Sequence, residues 1–174
     1  MPHPIDRAVV SWRAMADADL AEVVAIAAAI HVAHPERDAV FAERLSLYPP
    51  GCLILARDGA VLGYAIAHPW LSSAPPALDT LLGALPAAPD CLYLHDVALR
   101  PAGRGHGATA RLLARLDDMA RAAGLARLAL VAIPGTDRFW RRLGFLPRAC
   151  ADDATRGQGG YGAGATLMER PVHA

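Results

Sequence analysis

The chain has 174 residues, 54% of them hydrophobic, and carries seventeen basic against seventeen acidic side chains, all the bases being arginine. Zero net charge argues against nucleic acid or an anionic membrane as the main partner, and no apolar run reaches the roughly 18–20 residues of a membrane span. The length fits one domain over residues 1–174 with a sizeable core. Met1-Pro2-His3-Pro4 lacks the basic start and apolar run of a secretory signal. Cys52, Cys91 and Cys150 form no CxxC pair and read as reduced thiols of a cytoplasmic protein, not as disulfides or zinc ligands.

Residues 7–14 read as a first strand. Asp17 is placed to cap a helix over 18–31, with Leu20, Val23, Val24, Ala27 and Ile30 as its buried stripe. Pro35 opens a second helix over 36–47, which Tyr48-Pro49-Pro50-Gly51 ends. His31 and His34 have a ligand-like spacing but no nearby third ligand, so surface histidines are the simpler reading. Residues 52–57 and 60–68 around Asp58-Gly59 predict a hairpin, apolar enough to be covered on both faces. Residues 70–90 contain four prolines and a short apolar turn at 78–85. A segment this long predicts either a lid, with Trp70 and Leu81 as wall residues, or a flap over the core.

The centre of the chain runs from Cys91 to Ala123. Leu92 to Leu99 reads as a strand with His95-Asp96 in its middle, followed by Pro101, Gly103 and the loop Arg104-Gly105-His106-Gly107. Helical periodicity then begins at once. Leu112, Leu113, Leu116, Met119, Ala120 and Ala123 share one face, while Arg111, Arg115, Asp117, Asp118 and Arg121 fall on the wet face, and Gly124 suits a C-terminal cap. Such a strand–loop–helix captures anions: free helix N–H groups, glycines that admit a phosphate, and the charge of Arg104 converge. The plainer reading is a turn. A Walker loop is ruled out because the chain has no lysine. Gly105-x-Gly107-x-x-Ala110 fits the dinucleotide pattern only loosely, since five residues separate it from Leu99 and Val131-Ala132-Ile133-Pro134 ends without an acid. Further strands are predicted over 126–133, 145–150 and 165–172, a short helix over 136–143, and a glycine-rich loop over 151–164.

Arg104-x-x-Gly107-x, behind a hydrophobic strand, resembles the acetyl-CoA signature [RQ]xxGx[GA] of the GNAT N-acetyltransferase superfamily. Phe139-Trp140-Arg141-Arg142-Leu143-Gly144-Phe145 is similar to that family's FYxxxGF segment. Leu94 to Leu99 resembles the strand of arylalkylamine N-acetyltransferases, with His95 at the place of a histidine. Thr109 stands where the signature has Gly or Ala, and Trp140 where the family usually has a tyrosine acid; an indole N–H is a far poorer acid. The resemblance implies an α/β (α+β) GNAT-like fold: a mixed, mostly antiparallel central sheet with helices on both faces. It also implies acetyl-CoA as cosubstrate and no metal. Backbone of Val97 and Leu99 would hold the thioester, with Arg104, Gly105, His106, Gly107, Ala108, Thr109 and Phe139 about the coenzyme and Trp70 and Trp140 about the acceptor.

The expected reaction is transfer of the acetyl group to a primary amine, small molecule or peptide, by direct attack. Such an amine is mostly protonated at neutral pH, so a base is needed, and His95 is the best placed by type. A regular strand would put Tyr93, His95 and Val97 on one face and Asp96 on the other, whereas a bulge would change this. Asp96 is the second candidate base, and structural roles for both stand beside these. Tyr161, or Tyr64, could replace the missing acid, or thiolate could leave unaided. Glu36, Asp38 and Glu43 could attract a cationic amine or simply line a solvated helix face. The alternative function is a GNAT-like acyl-CoA-binding sensor or scaffold without catalysis. A homodimer is compatible with the sequence.

Overall fold

A computed structural model of the protein describes residues 9–148 and 160–173. Cys150 and the 151–159 part of the glycine-rich loop lie outside the described residues, as do residues 7 and 8 of the first predicted strand. The elements are β1 (Ser11–Ala14), α1 (Leu20–Ile30), α2 (Asp38–Leu47), β2 (Cys52–Arg57), β3 (Ala60–Trp70), β4 (Cys91–Leu99), α3 (Ala108–Ala122), β5 (Arg127–Ala132), α4 (Asp137–Arg142), β6 (Leu146–Pro147) and β7 (Thr166–Pro171). They form a seven-stranded open sheet in the order β1-β2-β3-β4-β5-β7-β6. Every neighbouring pair is antiparallel except β4 and β5.

Alternation along β2 shows how both faces are covered. Leu53 and Leu55 join the core under α3, with Leu92, Leu112, Leu116, Leu128 and Phe145. Cys52 and Ile54 point the other way, into a core with Val23 and Ile26 of α1 and Phe41 and Leu45 of α2. The period-two pattern of the strand therefore serves two cores. Trp12 on β1 donates its indole N–H to the Ala108 carbonyl (2.8 Å), which ties the edge strand to the first turn of α3.

Several sequence expectations change here. Asp17 does not cap α1; a 3-10 turn over Asp17–Asp19 precedes the helix, and Asp19 accepts the Ala16 backbone N–H (2.8 Å) and pairs with Arg13. Asp117, expected on the wet face of α3, is buried against Arg170 of β7, Oδ2 to Nη2 2.8 Å. Gly124 does follow the helix in the left-handed region, φ +70°. The strand expected over 145–150 is β6, two residues long among the described residues. Residues 71–90 hold no helix or strand, and no described helix is long and apolar enough to cross a membrane. Cys52 and Cys91 are separate buried thiols, each pushed up to about 12 by burial.

Candidate active site

The site begins where the sheet opens. β4 and β5 pair only at Leu92–Leu128 and Tyr93–Ala129, although β4 continues to Leu99 and β5 to Ala132. Beyond Tyr93 the strands part, and a cavity of about 810 Å³ occupies the gap. An irregularity in β4 accompanies the parting. Ile66 of β3 faces Asp96 and the next residue, Ala67, faces Leu94, so His95 is one residue too many for its partner strand. This bulge reverses the alternation: Leu92 and Leu94, then Val97 and Leu99, pack toward the α3 side. His95 and Asp96 both turn toward α1 and α2, where each finds a partner. The regular-strand expectation, with His95 and Val97 together and Asp96 opposite, is corrected.

One end of the cavity is built to take an anion. Gly107 precedes α3 in the left-handed region, φ +66°, which a side chain would strain, and Gly105 is similar at φ +78°. The first N–H groups of α3 have no partner within the helix. Arg104 Nε donates to the Leu99 carbonyl (3.0 Å), which fixes the guanidinium beside them. In an extended strand the N–H and C=O of one residue point the same way. The Leu99 carbonyl faces Arg104 rather than β3, so Leu99, and Val97 two residues earlier, turn their backbone to the gap. Thr136, Phe139 and Trp140 close the α4 side.

At the other end stand two histidine–carboxylate pairs. His95 Nε2 lies 3.0 Å from Glu36 Oε1, their side chains 0% and 4% exposed. His31 Nε2 lies 2.8 Å from Asp96 Oδ1, as an ion pair whose oxygen sits off the ring N–H axis. Tyr64 donates its hydroxyl to the same Asp96 carboxylate. His31 is held above its ordinary value by Asp96, against the opposing effect of burial. Burial pushes the Asp96 carboxyl up, but His31 and Tyr64 outweigh it and the net shift is downward. His34 Nε2 donates to the Tyr161 carbonyl (3.1 Å), and the Tyr161 hydroxyl donates to Pro76 O (3.0 Å). Burial pushes the Tyr161 phenol up to about 12.

The Asp96–His31 pair gives folding a signed pH dependence. His31, raised above 6.5, adds stability that is complete below that pH and is lost as pH rises through its folded value. Asp96, lowered below 3.8, adds stability present above that pH and lost as pH falls through its folded value. The melting temperature of the wild type should therefore exceed that of His31→Gln most between those two limits, with the margin shrinking above the upper one. A margin independent of pH would show the pair to be electrostatically idle.

Most of the residues named from sequence meet at this cavity: His95, Val97, Leu99, Arg104, Gly105, Gly107, Ala108, Thr109, Phe139, Trp140 and Tyr161 all line it. His106 and Trp70 do not. His106 is exposed, and its carbonyl accepts from Arg111. Trp70 ends β3, donates its indole N–H to Ala74 O (2.7 Å) and stacks edge-on to His68. Leu81 is half exposed, and the residue of the insertion that reaches the cavity is Leu78. The pairing of Glu36 with His95 and of His31 with Asp96 was not readable from spacing; the only signal was the presence of these types in the helix-1 to helix-2 connection. Among the described residues no three His, Cys, Asp or Glu side chains are placed to share a metal ion.

Comparison with solved structures gives the same fold at low identity. Ard1 from Thermoplasma volcanium matches at TM-score 0.69 and 15% identity, over 94% of this chain and 98% of that one. The ribosomal-protein-S18-alanine N-acetyltransferase from Escherichia coli matches at 0.65 and 19%, over 95% and 96%. Rv2747 from Mycobacterium tuberculosis, solved in complex with CoA, matches at 0.67 and 16%, over 94% and 99%. No curated protein matches the sequence. The family model of the acetyltransferase (GNAT) family matches residues 18–145. That span contains the parted strands, the Arg104–Gly107 loop and both histidine–carboxylate pairs, and the chain belongs to the GNAT acetyltransferase family.

Proposed function

We propose that the protein transfers the acetyl group of acetyl-CoA to a primary amine, a small molecule or a peptide amine, with His95 as the base. One observation carries this reading: a single cavity joins the anion-binding loop to a buried histidine–carboxylate pair across the gap between β4 and β5. The coenzyme's diphosphate would lie on Arg104, Gly105 and the first N–H groups of α3, with its pantetheine arm along Val97 and Leu99. The amine nitrogen attacks the thioester carbon and gives up its proton to His95, directly or through water. A backbone N–H of β4 holds the oxyanion, the C–S bond breaks, and thiolate departs.

Tyr161 fits the departing thiolate poorly as an acid. Its proton is held by Pro76, and a phenol near 12 has no driving force toward a thiolate whose thiol titrates near about 8.5. Trp140 is buried edge-on between Phe139 and Phe145, as a wall residue would be. Thiolate therefore leaves unaided. The second reading, an acyl-CoA-binding module without catalysis, draws on the same Trp140.

The test is a thermal-shift titration with acetyl-CoA, CoA, NADH and ATP, repeated on Arg104→Glu. A ligand at a hundred times its Kd adds about 2.7 kcal/mol of stability. Stabilisation by the two CoA forms alone, lost in the variant, is the expected outcome; no response to CoA overturns the assignment of the loop. Thiol release with 2-phenylethylamine, spermidine and an alanine-starting peptide then separates enzyme from binding module.

A further inference from the structure

We infer that Glu36 is a positioning residue for His95 and that the 78–83 segment of the insertion is the clamp that holds Glu36; this rests on the reading of His95 as the base. Glu36 lies just before α2, on a connection that could take many conformations. Its carboxylate is nevertheless fixed at both oxygens. Oε1 is 3.0 Å from His95 Nε2, and Oε2 accepts the Asp79 backbone N–H at 2.9 Å. Asp79 returns the contact, accepting the Arg37 backbone N–H (2.7 Å) and Arg37 Nε (3.0 Å). To present its N–H this way Asp79 sits in the left-handed region, φ +54°, a costly conformation for a residue with a side chain. The clasp continues down α2: Glu43 accepts the N–H groups of Leu82 (2.8 Å) and Gly83 (2.9 Å), and Arg44 donates to Thr80 O (2.9 Å).

The consequence for the ring is specific. An ionised carboxylate only accepts, so the proton of neutral His95 sits on Nε2 and the lone pair on Nδ1. Among the described residues Nδ1 is buried without a partner, and it is the ring atom on which an amine or its water would act. When Nδ1 takes a proton, the imidazolium forms beside the Glu36 carboxylate, which stabilises it. Other groups face the pair: His68 from β3, with ring centroids 6.1 Å apart, Tyr93 and Asp96 on β4, and Arg44 of α2 and Tyr161 around Glu36. Among the described residues it is Glu36, and none of these, that hydrogen bonds the His95 ring.

The experiment compares wild type with Glu36→Gln in two readouts. Histidine ¹⁵N spectra should place the His95 proton on Nε2 in the wild type and show mixed tautomers in the variant. With whichever of the three amine probes is turned over, Glu36→Gln should lose about 10²-fold in kcat, with KM and CoA affinity held within about twofold. Wild-type kcat in the variant would overturn the proposal, as would a proton on Nδ1 in the wild type. If no probe is turned over, the transferase reading fails on its own, while the tautomer measurement still decides whether Glu36 sets the ring.

Discussion

Replacing His95 with alanine should lower kcat for amine acetylation by about 10²–10⁴-fold, the range a positioned base contributes. CoA affinity should stay within about twofold, because the loop, α3 and α4 contacts lie at the other end of the cavity. The effect is large because the reacting amine is about a thousandfold more protonated than neutral at pH 7, and the neighbouring His68, whose Nε2 is likewise buried and unpartnered among the described residues, does not line the cavity. Asp96 favours the protonated form of His31, and His31 and Tyr64 favour the ionised form of Asp96. Alanine also leaves Glu36 without its ring partner. His95→Gln should therefore be measured beside it, since it keeps a donor for Glu36 and removes only the base. Initial rates of thiol release, with CoA binding measured separately, would check this. A rate within tenfold of wild type for His95→Gln would remove His95 from the mechanism.

The second large effect concerns stability and lies away from the cavity. Asp117→Ala should destabilise the fold by about 3–5 kcal/mol, because it strands a charged guanidinium that cannot reach water. Arg170 and Asp117 are 2% and 8% exposed, and Arg170 also stacks over Phe145, 5.5 Å to the ring centroid. Removing both charges with Asp117→Leu and Arg170→Met should recover most of the loss, since a buried pair adds little over well-packed apolar groups. Urea unfolding of the single and double variants decides it. A loss below about 1 kcal/mol for the single change would mean that Arg170 finds solvent by a small shift.

That pair also shows where sequence reading stops. On α3, Asp117 sits among charged residues at the wet spacing, and its burial depends on an arginine 53 positions later. Neither residue announces the other. The order of elements was legible because hydrophobic period and turn residues are local: the Asp58-Gly59 hairpin, the Gly124 cap and the Tyr48-Pro49-Pro50-Gly51 stop all act within a few residues. The Arg104–Gly107 loop was legible for the same reason. The His95 end of the cavity was not, because it depends on register. A one-residue mismatch between β3 and β4 puts His95 and Asp96 on one side, and no letter in either strand encodes it. From sequence the insertion reads as a lid with Trp70 and Leu81 as wall residues or as a flap over the core, but Leu78 rather than Trp70 reaches the cavity, since Trp70 continues β3 and is held by Ala74. The match reaches the family; the finer likeness of residues 94–99 to arylalkylamine transferases rests on that strand's letters alone.

The parting of β4 from β5 has a mechanical side. Among the described residues, two residue pairs, at Leu92 and Tyr93, couple the half-sheet β1–β4 to the half-sheet β5–β7–β6 in the backbone ladder. Cooperativity across the sheet thus runs through a seam as narrow as a hinge, backed by the side chains of α3. Any extended ligand that bonds to the open edges of both strands completes the ladder where the chain leaves it unfinished.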